Sequence, residues 1–358
     1  MILVTGGAGF IGSNFIMQWI SEEKKSILNL DKLTHAGNLN NLSQLEHHNS
    51  YLFFKGDIRN RTLVQELLNK YKPKAIVHFA AETNVNRSIY HPEHFIQTNI
   101  VGSFELLEAV ISYWKHLPPT DQSDFRFLYA STNTVYGAIG PQSSPAQEND
   151  IYAPPNIFAA SKTSTEHLLR TYHQSHGFPI LISHCVKNYG PYEFPDHMIP
   201  STIVNALQGN PLLIHGDGSN LRSLLHVSDH CAALRLLLNK GTPGETYNIS
   251  SDREFTHLNL IQSICSLLDE FKHDSQYKPH ASLIKFVKEK PGNHRRFALN
   301  SDKIRQLGWH PKESFEVNLR KTVQWYLHNM PWIENIISGE YRDWISTTHP
   351  ETVTIGAS

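Results

Sequence analysis

The sequence predicts an α/β fold built on a doubly wound parallel sheet, with a smaller α/β domain attached. Two observations carry this reading. Short β-branched and apolar runs alternate with longer amphipathic stretches through the first half of the chain. A glycine-rich loop sits where the first run gives way to the first amphipathic stretch.

The runs at 2–5, 26–30, 51–54, 75–79, 125–130 and 180–184 are largely apolar, as strands covered on both faces of a parallel sheet must be. Between them, 11–23, 61–71, 95–114 and 162–175 carry helical periodicity. Strand–helix alternation of this kind implies right-handed crossovers and helices on both sides of the sheet. After Tyr189-Gly190-Pro191 the pattern loosens, and Pro, Gly and aromatic residues cluster through Gly218. A helix at 227–238 and a strand at 245–249 follow, the strand able to rejoin the first sheet. A helix at 259–271, a strand near 283–287 and a late helix at 315–328 complete the pattern. The main domain is therefore expected at 1–189, with 226–249 returning to it. The smaller, substrate-binding domain is expected in 190–225 and 250–358.

Composition narrows the function classes. The chain has 358 residues and a net charge of -1, so it carries no overall bias toward nucleic acid or anionic membrane. An anionic ligand must be met by local basic groups. The 22 histidines are scattered, without HExxH or paired Cys/His spacing, so no metal is expected. The three cysteines, Cys185, Cys231 and Cys265, argue against a disulfide framework and fit a reducing cytoplasm. The chain enters a strand at once, with no signal-peptide pattern, and no run of about 18 apolar residues suggests a membrane span.

The strongest motif is Thr5-Gly6-Gly7-Ala8-Gly9-Phe10-Ile11-Gly12, between a strand and a helix. Gly6 permits the tight turn, Gly9 lets backbone approach a pyrophosphate, and Gly12 lets helix and strand pack closely. The amides at Phe10 and Ile11 open the helix, where phosphates bind. This is the Rossmann arrangement. Asp31 ends the second strand, about 20 residues further on, where a carboxylate accepts both adenosine-ribose hydroxyls and repels a 2′-phosphate. NAD is therefore favoured over NADP, with Lys32 close enough to soften that preference. Asp57 and Ile58 close the third strand, where an adenine-facing acid would lie.

Several segments together resemble the dTDP-glucose 4,6-dehydratases. They include Asp31-Lys32-Leu33-Thr34-His35-Ala36-Gly37-Asn38, His78-Phe79-Ala80-Ala81-Glu82-Thr83 and Asn99-Ile100-Val101-Gly102. Further along come Asn188-Tyr189-Gly190-Pro191-Tyr192, Gly244-Glu245-Thr246-Tyr247-Asn248-Ile249, Pro291-Gly292 with Arg295-Arg296, and Lys321-Thr322-Val323-Gln324-Trp325-Tyr326-Leu327. The resemblance runs to about residue 345. It implies an extended short-chain dehydrogenase fold, tightly held NAD, a nucleotide diphosphate sugar (a dTDP-sugar) as ligand, and a homodimer paired through 95–114 and 162–175. It adds Thr34, Gly37, Ala80, Ala81, Thr83 and Lys162 to the cofactor-binding set. Glu82, Arg87, Lys187, Asn188, Arg222, Arg295 and Arg296 are the implied substrate-binding residues.

The family's chemistry oxidises the sugar C4 hydroxyl, removes water across C5 and C6, and reduces C6. It needs a tyrosinate beside a lysine, a glutamate base, an aspartic acid and an orienting hydroxyl. The family's Thr-Asp-Glu-Val-Tyr-Gly is here Thr132-Asn133-Thr134-Val135-Tyr136-Gly137, and its Tyr-x-x-x-Lys is Phe158-Ala159-Ala160-Ser161-Lys162. The orienting Thr132 and the lysine Lys162 remain. An amide at Asn133 cannot deliver a proton, Thr134 is not a useful base, and Phe158 has no phenol. Asn84, Lys187, His197 and the Ser223-Leu224 pair also depart from the pattern on the sugar side. Tyr136 reads as a packed tyrosine, while Tyr152 and Tyr189 are phenols that could approach the nicotinamide instead. Usual dehydration is expected to be impaired. A non-catalytic ligand-binding subunit and a different redox or epimerising step are the alternatives.

Overall fold

The computed structural model describes residues 1–34, 36–288 and 296–337. Seven strands form one sheet: β1 Ile2–Thr5, β2 Ile27–Asp31, β3 Tyr51–Lys55, β4 Ala75–His78, β5 Arg126–Ala130, β6 Ile180–Cys185 and β7 Thr246–Ile249. Their spatial order is β7-β6-β5-β4-β1-β2-β3, and every neighbouring pair runs parallel. The Rossmann class follows from that order. The chain winds outward from β1 through β2 to β3, then starts again at β4 on the other side of β1. The crevice above β1 and β4 is where such sheets take ligands.

Alternate residues of each strand feed two cores. Ile2, Val4, Val77, Leu128 and Leu181 pack with Phe15, Trp19, Leu234 and Leu237 on one face. Leu3, Leu28, Ile76, Phe127, Ile180 and Ile182 pack with Leu106, Val110 and Phe178 on the other. Successive side chains of a strand point to opposite faces, so a strand covered on both must be apolar at nearly every position.

Two helical stretches differ from the sequence expectation. The expected helix 95–114 is built as a short turn Pro92–Phe95, a π segment Ile96–Gly102 and a regular helix Ser103–Lys115. The expected helix 11–23 is regular over Phe10–Gln18 and then widens into a π segment Trp19–Glu23. Apolar periodicity places both stretches but cannot register a turn widened by one residue.

The chain divides into two compact units. The larger comprises Met1–Asn188, Ser223–Arg253 and Arg296–Pro311. Residues 296–311, expected in the smaller domain, belong to this one instead. Leu299 bridges Ala146 in parallel, Asn300 N donates to Ala146 O at 2.9 Å, and buried Trp309 donates from Nε1 to Asp229 O at 3.0 Å. Isolated bridges of this kind have no sequence period to betray them. The smaller unit comprises Tyr189–Arg222 and the described parts of 254–295 and 312–358. It contains the helices Met198–Gln208, His257–Phe271 and Phe315–His328, and Leu212–His215 paired in parallel with Ile284–Val287. Tyr326 is buried within it and donates to Gly190 O at 3.1 Å and Glu193 O at 2.8 Å. Among the described residues, no helix is long and apolar enough to cross a membrane. All three cysteines are free and buried.

Candidate active site

The loops that leave the carboxyl ends of β1, β2, β4 and β5 gather most of the residues singled out in the sequence. Gly6 takes φ +73°, and a Cβ there would lie 2.5 Å from Ala80 N, so β1 and β4 meet at a point only glycine can occupy. A Cβ on Gly12 would fall 2.3 Å from Gly6 O, which lets the helix Phe10–Gln18 close on the loop. Gly9 is different. A Cβ there would make only ordinary van der Waals contacts, with Gly6 O at 3.4 Å and Ala36 O at 3.9 Å. No side chain caps the helix that begins at Phe10. The amides at Phe10, Ile11 and Gly12 thus stand at a helix N-terminus suited to a phosphate.

Asp31 is buried, and its carboxylate accepts from Ala8 N at 2.9 Å and Leu33 N at 2.8 Å. Burial raises its pKa although both amides oppose the shift. Two oxygens offer about four acceptor positions, so capacity remains for two ribose hydroxyls. Lys32 is engaged elsewhere, its ammonium 2.9 Å from Asp57. Asp57 also takes Arg59 Nε at 2.9 Å and Nη2 at 2.7 Å. Burial alone would raise this carboxyl, but Arg59 and Lys32 outweigh it and bring it to about 2. Beside it, Ile58 is buried against Gly102. Gly37 closes a turn through its N–H to Thr34 O at 2.9 Å, and Asn38 N reaches Ala8 O at 3.0 Å, folding this loop onto the glycine loop.

Beyond β4, Ala80 and Ala81 are half-buried and Thr83 is exposed. Asn99, in the π segment, clamps Glu82: Oδ1 accepts Glu82 N at 2.8 Å, and Nδ2 donates to Glu82 O at 2.9 Å and Ser161 Oγ at 2.8 Å. The Glu82 carboxylate is paired with Arg87 at 3.4 Å. Asn84 caps the helix Val85–Tyr90 by accepting Arg87 N at 3.0 Å.

The strand end at Ala130 leads into Thr132, Asn133 and Thr134, all half-buried. Thr132 Oγ1 and Thr134 Oγ1 are 3.0 Å apart. Lys162, fully buried on the helix Ile157–His176, donates to Ala130 O at 2.7 Å and lies 4.0 Å from the centre of the Tyr129 ring. Burial lowers its amine to about 7, against the pull of Glu166. Phe158, one turn earlier, is buried edge-on to Phe95.

Neither Tyr136 nor Tyr152 is free for proton transfer. Tyr136 is buried and donates to Asn248 Oδ1 at 2.9 Å, with its oxygen also 2.7 Å from His184 Nδ1. Tyr152 donates to Glu166 Oε2 at 2.7 Å. Burial raises both phenols, so neither is a ready tyrosinate. Tyr189 lies in the smaller unit, buried against Phe315.

Of the remaining residues, Asn188 donates to Cys185 Sγ at 3.1 Å and Val186 O at 3.0 Å, while its buried Oδ1 has no donor among the described residues. Lys187 is exposed. Arg296 is committed within the main unit, Nη1 donating to Gly140 O at 3.3 Å and Ser143 O at 2.5 Å. That anchors a loop and gives the residue a structural role the sequence did not foresee. In the smaller unit, Arg222 Nη1 donates to Leu221 O at 3.1 Å, and His197 Nδ1 lies 3.0 Å from the buried Glu193. Arg295 lies outside the described residues.

Sequence reasoning missed the group that holds these pieces together. Glu166 is fully buried and receives Ser131 Oγ at 2.5 Å, Tyr152 Oη at 2.7 Å and His184 Nε2 at 2.9 Å. Burial pushes its carboxyl up, but His184, Ser131 and Tyr152 prevail and hold it low. The signal was present: His184 is a polar residue in an otherwise apolar strand, and Glu166 lies one helical turn from Lys162. Glu166→Gln should destabilise the protein by about 3–5 kcal/mol, because a buried charge network loses its centre. A folded-state pKa below the unfolded one makes the Glu166 contribution complete above about pH 4.3 and lost as pH falls further. Urea unfolding between pH 3 and 7 checks both; the same stability and pH slope in Glu166→Gln as in the unmodified protein would contradict them.

Residues 3–322 match the family model described as GDP-mannose 4,6 dehydratase. A dTDP-glucose 4,6-dehydratase of Xanthomonas campestris pv. campestris is 46% identical over 341 residues, covering 95% of this chain and 97% of the relative. The crystal structure of dTDP-glucose 4,6-dehydratase from Bacillus anthracis in complex with NAD is 38% identical with a TM-score of 0.81, covering 94% of this chain and 99% of that one. The Streptomyces venezuelae dTDP-glucose 4,6-dehydratase, solved with NAD bound, is 36% identical with a TM-score of 0.83 and the same coverage. By sequence along nearly its whole length, and by fold, this chain belongs to the dTDP-glucose 4,6-dehydratase family.

Proposed function

We propose that the chain binds NAD and a nucleotide diphosphate sugar, foremost a dTDP-sugar, and that the usual 4,6-dehydration is impaired. NAD fits the residues present: Gly9 leaves room for a pyrophosphate, the helix at Phe10 offers amides, and Asp31 retains acceptor capacity for a ribose. Bound there, NAD supplies a hydride acceptor and donor. Glu82, Arg87, Lys187 and Asn188 are the main-unit groups we assign to the sugar nucleotide, Asn188 through its buried Oδ1, which has no donor among the described residues.

One observation carries the impairment. The three positions that move protons in the family are Phe158, Asn133 and Thr134, while the nearby phenols and the Glu166 carboxylate are held in a buried network. Thr132 can still orient a sugar hydroxyl. Phe158 cannot take its proton, Thr134 cannot abstract a carbon-bound proton, and Asn133 cannot protonate a departing hydroxyl. A second reading, a different redox or epimerising step, draws support from Lys162. An amine near 7 is a proton acceptor at neutral pH without a tyrosine partner.

We also assign the protein as a cytoplasmic homodimer. The free, buried cysteines suit a reducing compartment. The family resemblance assigns 95–114 and 162–175 to the pairing, and Ile96 of the first stretch is exposed.

Two experiments test the reading. Calorimetry should show NAD bound in preference to NADP, since Asp31 opposes a 2′-phosphate and Lys32 is paired with Asp57. Asp31→Ala should weaken NAD binding by about 2 kcal/mol, roughly thirtyfold; equal affinity for the two cofactors would refute the ribose assignment. Phe158→Tyr alone should yield no dehydrated sugar nucleotide. Combining it with Asn133→Asp and Thr134→Glu should raise product formation at least about a hundredfold. Robust product from the single variant would mean other residues supply the acid and base.

A further inference from the structure

Three side chains with metal-ligating atoms converge at the corner between the helices Val85–Tyr90 and Pro92–Phe95: His91, Glu93 and His94. Their ligand atoms all lie within 4.8 Å of one another. Glu93 Oε1 sits between the two imidazoles, 3.5 Å from His91 Nδ1 and 3.6 Å from His94 Nε2. Those separations are long for hydrogen bonds. They are close to the spacing of ligands around a small cation: bonds of about 2.0–2.1 Å give a tetrahedral edge of about 3.3–3.4 Å. The corner is also built before any ion arrives. His91 N donates to Arg87 O at 2.9 Å, His94 N donates to His91 O at 3.3 Å, and the ring of Pro92 restricts the backbone between His91 and Glu93. A preformed arrangement lowers the ordering cost of binding.

We propose that His91, Glu93 and His94 form a surface site for a divalent transition-metal ion of the zinc type. Two imidazoles and one carboxylate suit zinc, nickel or copper and disfavour magnesium and calcium, which take oxygen ligands. Three protein ligands leave at least one coordination position for water or an incoming group. All three side chains are about half exposed, so an ion enters and leaves freely. Its spacing, His-x-Glu-His, matches none of the patterns by which metal sites are recognised in sequence. The sequence expectation of no metal arose for that reason.

The test is titration of the full-length protein with zinc ion alone, in competition with a chromophoric chelator, beside His91→Ala/His94→Ala. The unmodified protein should bind one more zinc ion per chain than the double variant. Cobalt substitution should give the visible absorption of a four-coordinate site, and the double variant should lose it. Glu93→Gln should weaken this zinc while leaving circular dichroism unchanged, which separates ligand loss from misfolding. Equal stoichiometry and affinity in all three proteins would overturn the proposal, because the bound zinc would then belong to other histidines. Absence of any zinc binding to the unmodified protein would overturn it equally.

Discussion

One buried carboxylate organises the candidate site. Glu166 has no exposed surface, and burying an ion costs several kcal/mol unless hydrogen bonds and opposite charge offset it. Ser131, Tyr152 and His184 satisfy that requirement from three parts of the main unit. The same contacts fix the segment that begins at Ser131, the helix that carries Phe158 and Lys162, and the strand that carries His184. His184 and Tyr136 then reach Asn248, which ties in β7 at the edge of the sheet. Lys162 stays oriented toward Ala130 O because its helix is anchored one turn further on.

This arrangement holds the frame of the site through contacts that do not involve the side chains of Phe158, Asn133 and Thr134. The frame depends on Glu166, His184, Asn99 and the glycine contacts at β1 and β4. Phe158 needs only an apolar neighbour and has one in Phe95. Asn133 and Thr134 sit in a turn that Gly137 closes by donating its N–H to Thr134 O at 3.1 Å.

Much of the fold was legible in the sequence. Strands buried on both faces must be apolar at nearly every position, so β1 to β6 stand out as short runs, and helix 315–328 is found at its full length. The close contacts at Gly6 and Gly12 were legible because backbone approach demands glycine at a particular spacing. What stayed hidden was whatever depends on tertiary contact. The Lys32–Asp57 pair joins the ends of two strands, Arg296 reaches a distant loop, and 296–311 attaches through dispersed contacts such as the Ala146–Leu299 bridge and the Trp309 indole. The Glu166 network was partly visible as His184 in an apolar run, but its partners are scattered from Ser131 to Asn248. The convergence of His91, Glu93 and His94 depends on a corner between two short helices, which no periodicity marks.

The central claim is that this site holds a sugar nucleotide without dehydrating it at the family's rate. The most direct measurement is mass spectrometry of dTDP-glucose after incubation with the purified, unmodified protein. Unchanged substrate mass, with the nucleotide sugar retained by the protein, is the predicted result. Stoichiometric loss of one water within minutes would contradict the account, since it would show that Phe158, Asn133 and Thr134 do not stand where the protons move.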